Sequence, residues 1–130
     1  MLDKMVLIFK HWRHTMKSID DLSLRENEKK AIREATRILK ERFPVREVIL
    51  FGSKARGDSS EESDIDLLLL TSEPLHWKMR HAIIEALFDV EMKHNVVISI
   101  VVNTVFDWNE GICTVLPIHE EIDREGVAVQ

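Results

Sequence analysis

The chain reads as an α/β (α+β) domain: a small mixed sheet of about three to five strands flanked by helices. Three observations predict this. Apolar runs of strand length stand at residues 46–51, 64–70 and 96–102, while residues 24–42 and 73–94 repeat apolar side chains at helical spacing. Between the first two strands lies a Gly52-Ser53 pair followed by a polar loop, a strand-turn-strand unit on which the rest of the chain is organised. At 130 residues the chain fits one domain with a core of its own, and no internal repeat or low-complexity tract divides it.

Composition narrows the class. With 45% hydrophobic and 32% charged residues the chain is expected to be soluble and cytoplasmic; it has no apolar run of membrane-spanning length and no secretory leader pattern. Net charge of −5 argues against general nucleic-acid binding through a basic surface. The single Cys113 excludes an internal disulfide and a multi-cysteine zinc site, which leaves a small buried apolar side chain.

In chain order, residues 1–22 read as an N-terminal helix and linker and residues 23–130 as the domain proper. Leu2, Val6, Phe9, Trp12 or Arg13, and Met16 share a helical face, with Lys10, His11, Arg13, His14 and Lys17 as a solvated basic side. His11 and His14 have a metal-like spacing but no third ligand nearby. Ser23 and Glu26 have the form of a capping box, so a helix is expected to follow until Pro44. Ile32, Ala35, Ile38, Leu39 and Phe43 make its inner stripe, and Glu28, Lys29, Lys30, Arg33, Glu34 and Arg37 its outside.

The second strand, apolar on both faces, has the pattern of a central one. The helix over 73–94 carries Trp77, Arg80 or His81, Ile84, Leu87 or Phe88, and Met92 at its period; His76, His81 and His94 share no ligand spacing and are structural. Residues 103–111 form a loop or short turn anchored by Phe106 and Trp108, and residues 116–125 a last helix with Ile118 and Ile122 inward. Gly126 is expected to stop that helix in a left-handed conformation, before a short final strand over 127–129.

Chemistry concentrates at residues 52–66. Gly52 lets an anion approach the backbone, Ser53 adds a hydroxyl and an amide, and Lys54 and Arg56 supply cationic side chains that could neutralise phosphate. Asp64 and Asp66 open the second strand one residue apart, so both project from one face, roughly 6.5 to 7 Å apart. Adjacent carboxylates repel unless a cation lies between them, and Mg²⁺ accepts carboxylate oxygens together with nucleotide phosphates.

Phe51-Gly52-Ser53, ten intervening residues, then Asp64-Ile65-Asp66-Leu67 resembles the signature of the DNA polymerase β-like nucleotidyltransferase superfamily, and within it the minimal nucleotidyltransferases. Ala55-Arg56-Gly57 extends the likeness. The resemblance covers roughly residues 25 to 128, and it implies a nucleotidyltransferase fold. It also implies Mg²⁺ (or Mn²⁺) held by Asp64 and Asp66, which become the catalytic residues, and a nucleoside triphosphate, ATP by expectation, held at Gly52, Ser53, Lys54 and Arg56. The reaction implied is transfer of a nucleoside monophosphate to a protein hydroxyl with release of pyrophosphate.

One departure stands out. The superfamily places a third carboxylate on the third strand opposite the Asp pair, and here the matching position holds Ser99. A hydroxyl cannot serve as carboxylate base, nor does it bring charge to a divalent ion. Asp107, Glu110 or a partner's carboxylate are the candidates to replace it. The 130 residues are expected to hold no acceptor-binding domain, so the resemblance implies a separate helical HEPN-like protein, the two behaving as toxin and antitoxin, with a homo-oligomer as the other partner expected. The alternative is a nucleotide-binding or stoichiometric antitoxin module of the same fold with little or no transfer activity.

Overall fold

A computed structural model describes residues 18–130. The expected first helix over residues 2–16, with His11 and His14, lies outside the described residues. Five helices and four strands follow in the order α1 (Glu26–Arg42), β1 (Val45–Phe51), α2 (Ser53–Arg56), β2 (Ile65–Thr71), α3 (Trp77–His94), β3 (Ile98–Thr104), α4 (Val105–Asn109), α5 (Pro117–Glu125) and β4 (Val127–Ala128). Short 3-10 turns occupy Ile19–Asp21 and Ile112–Val115.

The sheet is mixed, with strand order β3-β2-β1-β4. β1 runs antiparallel to β2 and β4, whereas β2 and β3 are parallel, joined by α3 as a parallel crossover requires. Side chains alternate across it. Val48 and Leu50 of β1 with Ile65, Leu67 and Leu69 of β2 pack under Ile32, Ala35 and Leu39 of α1 and Ile83, Leu87 and Val90 of α3. On the opposite face Ile49, Leu68 and Leu70 meet Trp108, Cys113 and Ile122 from α4, the second 3-10 turn and α5. β2 is thus buried on both faces, as its apolar run requires.

Local chemistry moves several boundaries. α1 is capped at Arg25, whose backbone N–H donates to Glu28 Oε1 at 2.8 Å, so the Ser23–Glu26 box expected from the sequence is not the one that forms. A capping box closes earlier as well, between Ser18 and Asp21, where Ile19 anchors the entering chain in the core. α3 starts at Trp77, not 73, with the His76 ring accepting from the Lys78 N–H. Its inner face is Ile83, Ala86, Leu87 and Val90, so of the expected stripe Leu87 is inside, while Trp77, Ile84, Phe88 and Met92 point outward instead. Trp108 is buried as expected but Phe106 is exposed. Gly126 is extended (φ −68°, ψ 148°), because the chain passes straight into β4, and no left-handed stop is needed.

Candidate active site

At the C-terminal end of β1 the chain breaks at Gly52, whose φ of +75° and ψ of −157° suit glycine alone. The Ala55 and Arg56 amides then donate to the Gly52 carbonyl, closing the single turn of α2, and Gly57 leaves it at φ +86°. Amides at the start of such a turn have no partner inside it. The register of the sheet brings the other residues to this end: Phe51 pairs with Asp66, and Asp66 with Ser99.

Asp66 lies directly over the glycine. A Cβ at Gly52 would overlap Asp66 Oδ2, so the absence of a side chain there is what lets the carboxylate close on the turn. Burial pushes the Asp66 carboxyl above its ordinary value, and the neighbouring Asp64 adds to the effect, with Arg56 opposing both. Asp64, exposed just before β2, accepts a hydrogen bond from Ser99 Oγ at 2.8 Å. The strand alternation therefore gathers Asp64, Asp66 and Ser99 on one side of the sheet, beside the Gly52-Ser53 turn.

Asp107 and Glu110 do not join them. Both follow the C-terminal end of β3, whereas Ser99 lies near its start, and the five residues from Ser99 to Thr104 span roughly 16 Å of strand. Among the described residues no group of three His, Cys, Asp or Glu side chains is arranged to hold a metal. Two carboxylates and a hydroxyl beside an open glycine turn fit a hard divalent ion that takes its remaining oxygens from phosphate and water.

Lys54 departs from the sequence expectation of a cation offered to phosphate. It is 3% exposed, and its Nζ pairs with Glu28 at 2.5 Å while donating to the Ser60 carbonyl at 3.0 Å. Glu28, placed on the outside of its helix by sequence pattern, is likewise 3% exposed. Burial raises its carboxyl, but bonds from Lys54 and the Arg25 N–H outweigh that and leave it below the ordinary range. Arg25 also donates to the Glu61 carbonyl, so Glu28 and Lys54 tie the start of α1 to the glycine turn and to the loop leading into Asp64. Arg56 stays at the surface, bonded to Asp58 at 3.2 Å and to Glu125 at 3.1 Å, which holds the end of α5 against the turn.

Behind the site, on the Ile65 side of the sheet, a cleft of about 140 Å³ opens between Arg25, Ser63, Asn95 and Val96. It is separate from the Asp pair, because Ile65 and Asp66 point to opposite faces.

The nucleotidyltransferase domain family model matches residues 32–122, which contain β1, β2, β3 and the glycine turn. The chain is similar to a protein of Methanocaldococcus jannaschii named "Putative protein adenylyltransferase MJ0604", with 36% identity over 88 residues, 66% of this chain and 83% of that protein. A second protein of the same organism, "Putative protein adenylyltransferase MJ0141", is 40% identical over 67 residues, 52% of this chain and 66% of its own length. "Protein adenylyltransferase MntA" of Thermococcus cleftensis is 55% identical over 31 residues, 24% of this chain and 31% of that protein.

Proposed function

Since the chain belongs to the nucleotidyltransferase domain family, and within it to the minimal nucleotidyltransferases, we propose that it transfers AMP from ATP to a hydroxyl of a protein acceptor, with release of pyrophosphate, in the cytoplasm. The observation that carries this reading is the closure of Asp66 over Gly52: a carboxylate and a side-chain-free turn at one point are what a metal-bound triphosphate requires. Asp64 and Asp66 would hold Mg²⁺ or Mn²⁺, and Gly52 and Ser53 the phosphates, with Arg56 at the rim. The bound ion supplies neutralisation of the charge that builds on phosphate during transfer. Relatives bearing the name protein adenylyltransferase support AMP and a protein as the two substrates. The acceptor we favour is a separate helical, HEPN-like protein, with this chain as the antitoxin of the pair.

Ser99 favours a second reading. Its hydroxyl satisfies Asp64 where a carboxylate would complete a two-metal site, so the chain could bind nucleotide and partner while transferring slowly or not at all.

Calorimetry with ATP separates site from no site. Wild type is expected to bind ATP only with Mg²⁺, and the Asp64→Asn, Asp66→Asn double variant not to bind; equal binding by both would overturn the assignment. Incubation of the protein and its co-purified helical partner with ATP labelled on the α-phosphate then separates the readings. Label on the partner supports transfer, and nucleotide binding without label supports the stoichiometric module.

A further inference from the structure

α3 carries two apolar faces, and among the described residues only one is packed against the rest of the chain. Ile83, Leu87 and Val90 enter the core, whereas Trp77, Ile84, Phe88 and Met92 are 68%, 50%, 56% and 68% exposed. A surface helix ordinarily turns a polar face outward. With His81 included, the outer residues follow one another at intervals of four, three, four and four, the spacing of a seam that packs against another helix. Contiguous exposed apolar side chains of this kind mark an interaction surface.

We infer that this face is the contact between two copies of the chain, with their α3 helices antiparallel about a two-fold axis between Ile84 and Glu85. Charge decides the occupant. On one flank of the stripe stand Lys78 near the start of α3, Glu85 at its middle, paired with His81 of its own helix, and Asp89 eleven residues after Lys78; on the other stand Arg80 and Glu91, whose Oε2 already accepts from the Ile98 N–H. An antiparallel second copy sets Lys78 beside Asp89 on both sides of the axis, two pairs of opposite charge that flank the two Glu85 side chains, each held by His81 of its own helix, and it brings Arg80 towards Glu91. A parallel copy would set each charge against its own kind. The same operation places Trp77 over Met92, Phe88 over His81 and Ile84 beside its own copy, so each large side chain meets another. α3 lies on the face of the sheet away from Asp64, Asp66 and Ser99, so the dimer leaves the candidate site open to an acceptor. The inference does not depend on nucleotidyl transfer.

The contact is one helix pair about 27 Å long, at the small end of interface sizes, so a concentration-dependent dimer is expected. Sedimentation equilibrium of the full chain up to roughly 100 µM should show monomer and dimer in exchange. Phe88→Asp, at an exposed position, should raise the dissociation constant by about tenfold or more while the far-ultraviolet circular dichroism is unchanged. Lys78→Glu and Asp89→Lys should each weaken self-association severalfold, and an equimolar mixture of the two should recover it, because each copy then supplies the charge the other lacks. A wild-type chain that stays monomeric throughout this range overturns the inference, whether residues 1–17 or a different helical protein then covers the stripe. Charge variants that dimerise like wild type, or a mixture that stays monomeric, overturn it equally.

Discussion

Ser99 Oγ donates a 2.8 Å hydrogen bond to Asp64 Oδ2 across the β2–β3 edge, from the strand position directly paired with Asp66. Aspartate at 99 would therefore bring a third carboxylate against the other two. Ser99→Asp should lower the stability of the metal-free protein by about 1 kcal/mol through like-charge repulsion. Mg²⁺ should restore more stability to this variant than to wild type, since a ligand that binds only the folded state stabilises it in proportion to its affinity. Thermal melts with and without Mg²⁺ measure both effects; an equal Mg²⁺ response in the two proteins would remove Ser99 from the metal site.

Asp66 gives a prediction of opposite sign. Its carboxyl is raised by burial and by Asp64, so ionising it costs more in the folded chain than in the unfolded one. That cost is absent below the ordinary value of 3.8, grows as pH rises through the shifted value, and is fully present above it. Asp66→Asn should accordingly melt higher than wild type at pH 7 without metal, and the difference should vanish toward pH 3. A variant less stable than wild type at pH 7 would show that the Asp66 carboxylate is stabilised by contacts that outweigh its burial.

Gly52→Ala tests the closure of Asp66 on the turn. The residue sits at φ +75° with an extended ψ, a region that costs a side-chain-bearing residue about 1–3 kcal/mol, and the new Cβ would overlap Asp66 Oδ2. Denaturant unfolding should show a loss of that size, and Mg²⁺-dependent ATP binding should fall with it. Retention of wild-type ATP affinity by a folded Gly52→Ala protein would mean that Asp66 can bind from a displaced position.

Much of this was legible because it is written in contiguous residues. The glycine turn, the Asp pair and the strands need only local pattern, and the Ser99 position followed from counting along one apolar run. What depended on the far side of the molecule was not legible. α3 has two apolar stripes, and periodicity alone cannot say which one the sheet covers. The helix over 24–42 offers Glu28 and Glu34 alike as surface acids, yet only Glu28 meets a buried lysine from another element. Gly126 looked like a helix stop because the sequence does not reveal that β4 must begin immediately to pair with Ile49 and Leu50.

The Glu28–Lys54 pair carries the last prediction, because the glycine turn hangs on a charge from a helix that the site motif does not include. Both side chains are almost fully buried, so removing one partner strands the other charge in the interior, at a cost of about 3–5 kcal/mol. Glu28→Gln and Lys54→Met should each fall in that range, while Glu28→Met with Lys54→Met should recover most of the loss, since two apolar side chains leave no charge unpaired. The pH dependence follows from the depressed Glu28 carboxyl: its contribution is fully present above the ordinary value of 4.5 and is lost as pH falls through the lower folded value. Wild type should therefore lose stability on acidification below pH 4.5 more steeply than Glu28→Gln. If the double methionine variant is stable yet binds ATP less tightly than wild type in Mg²⁺, the pair also orients the turn; additive losses from the two single changes would instead show that Glu28 and Lys54 do not act as a pair.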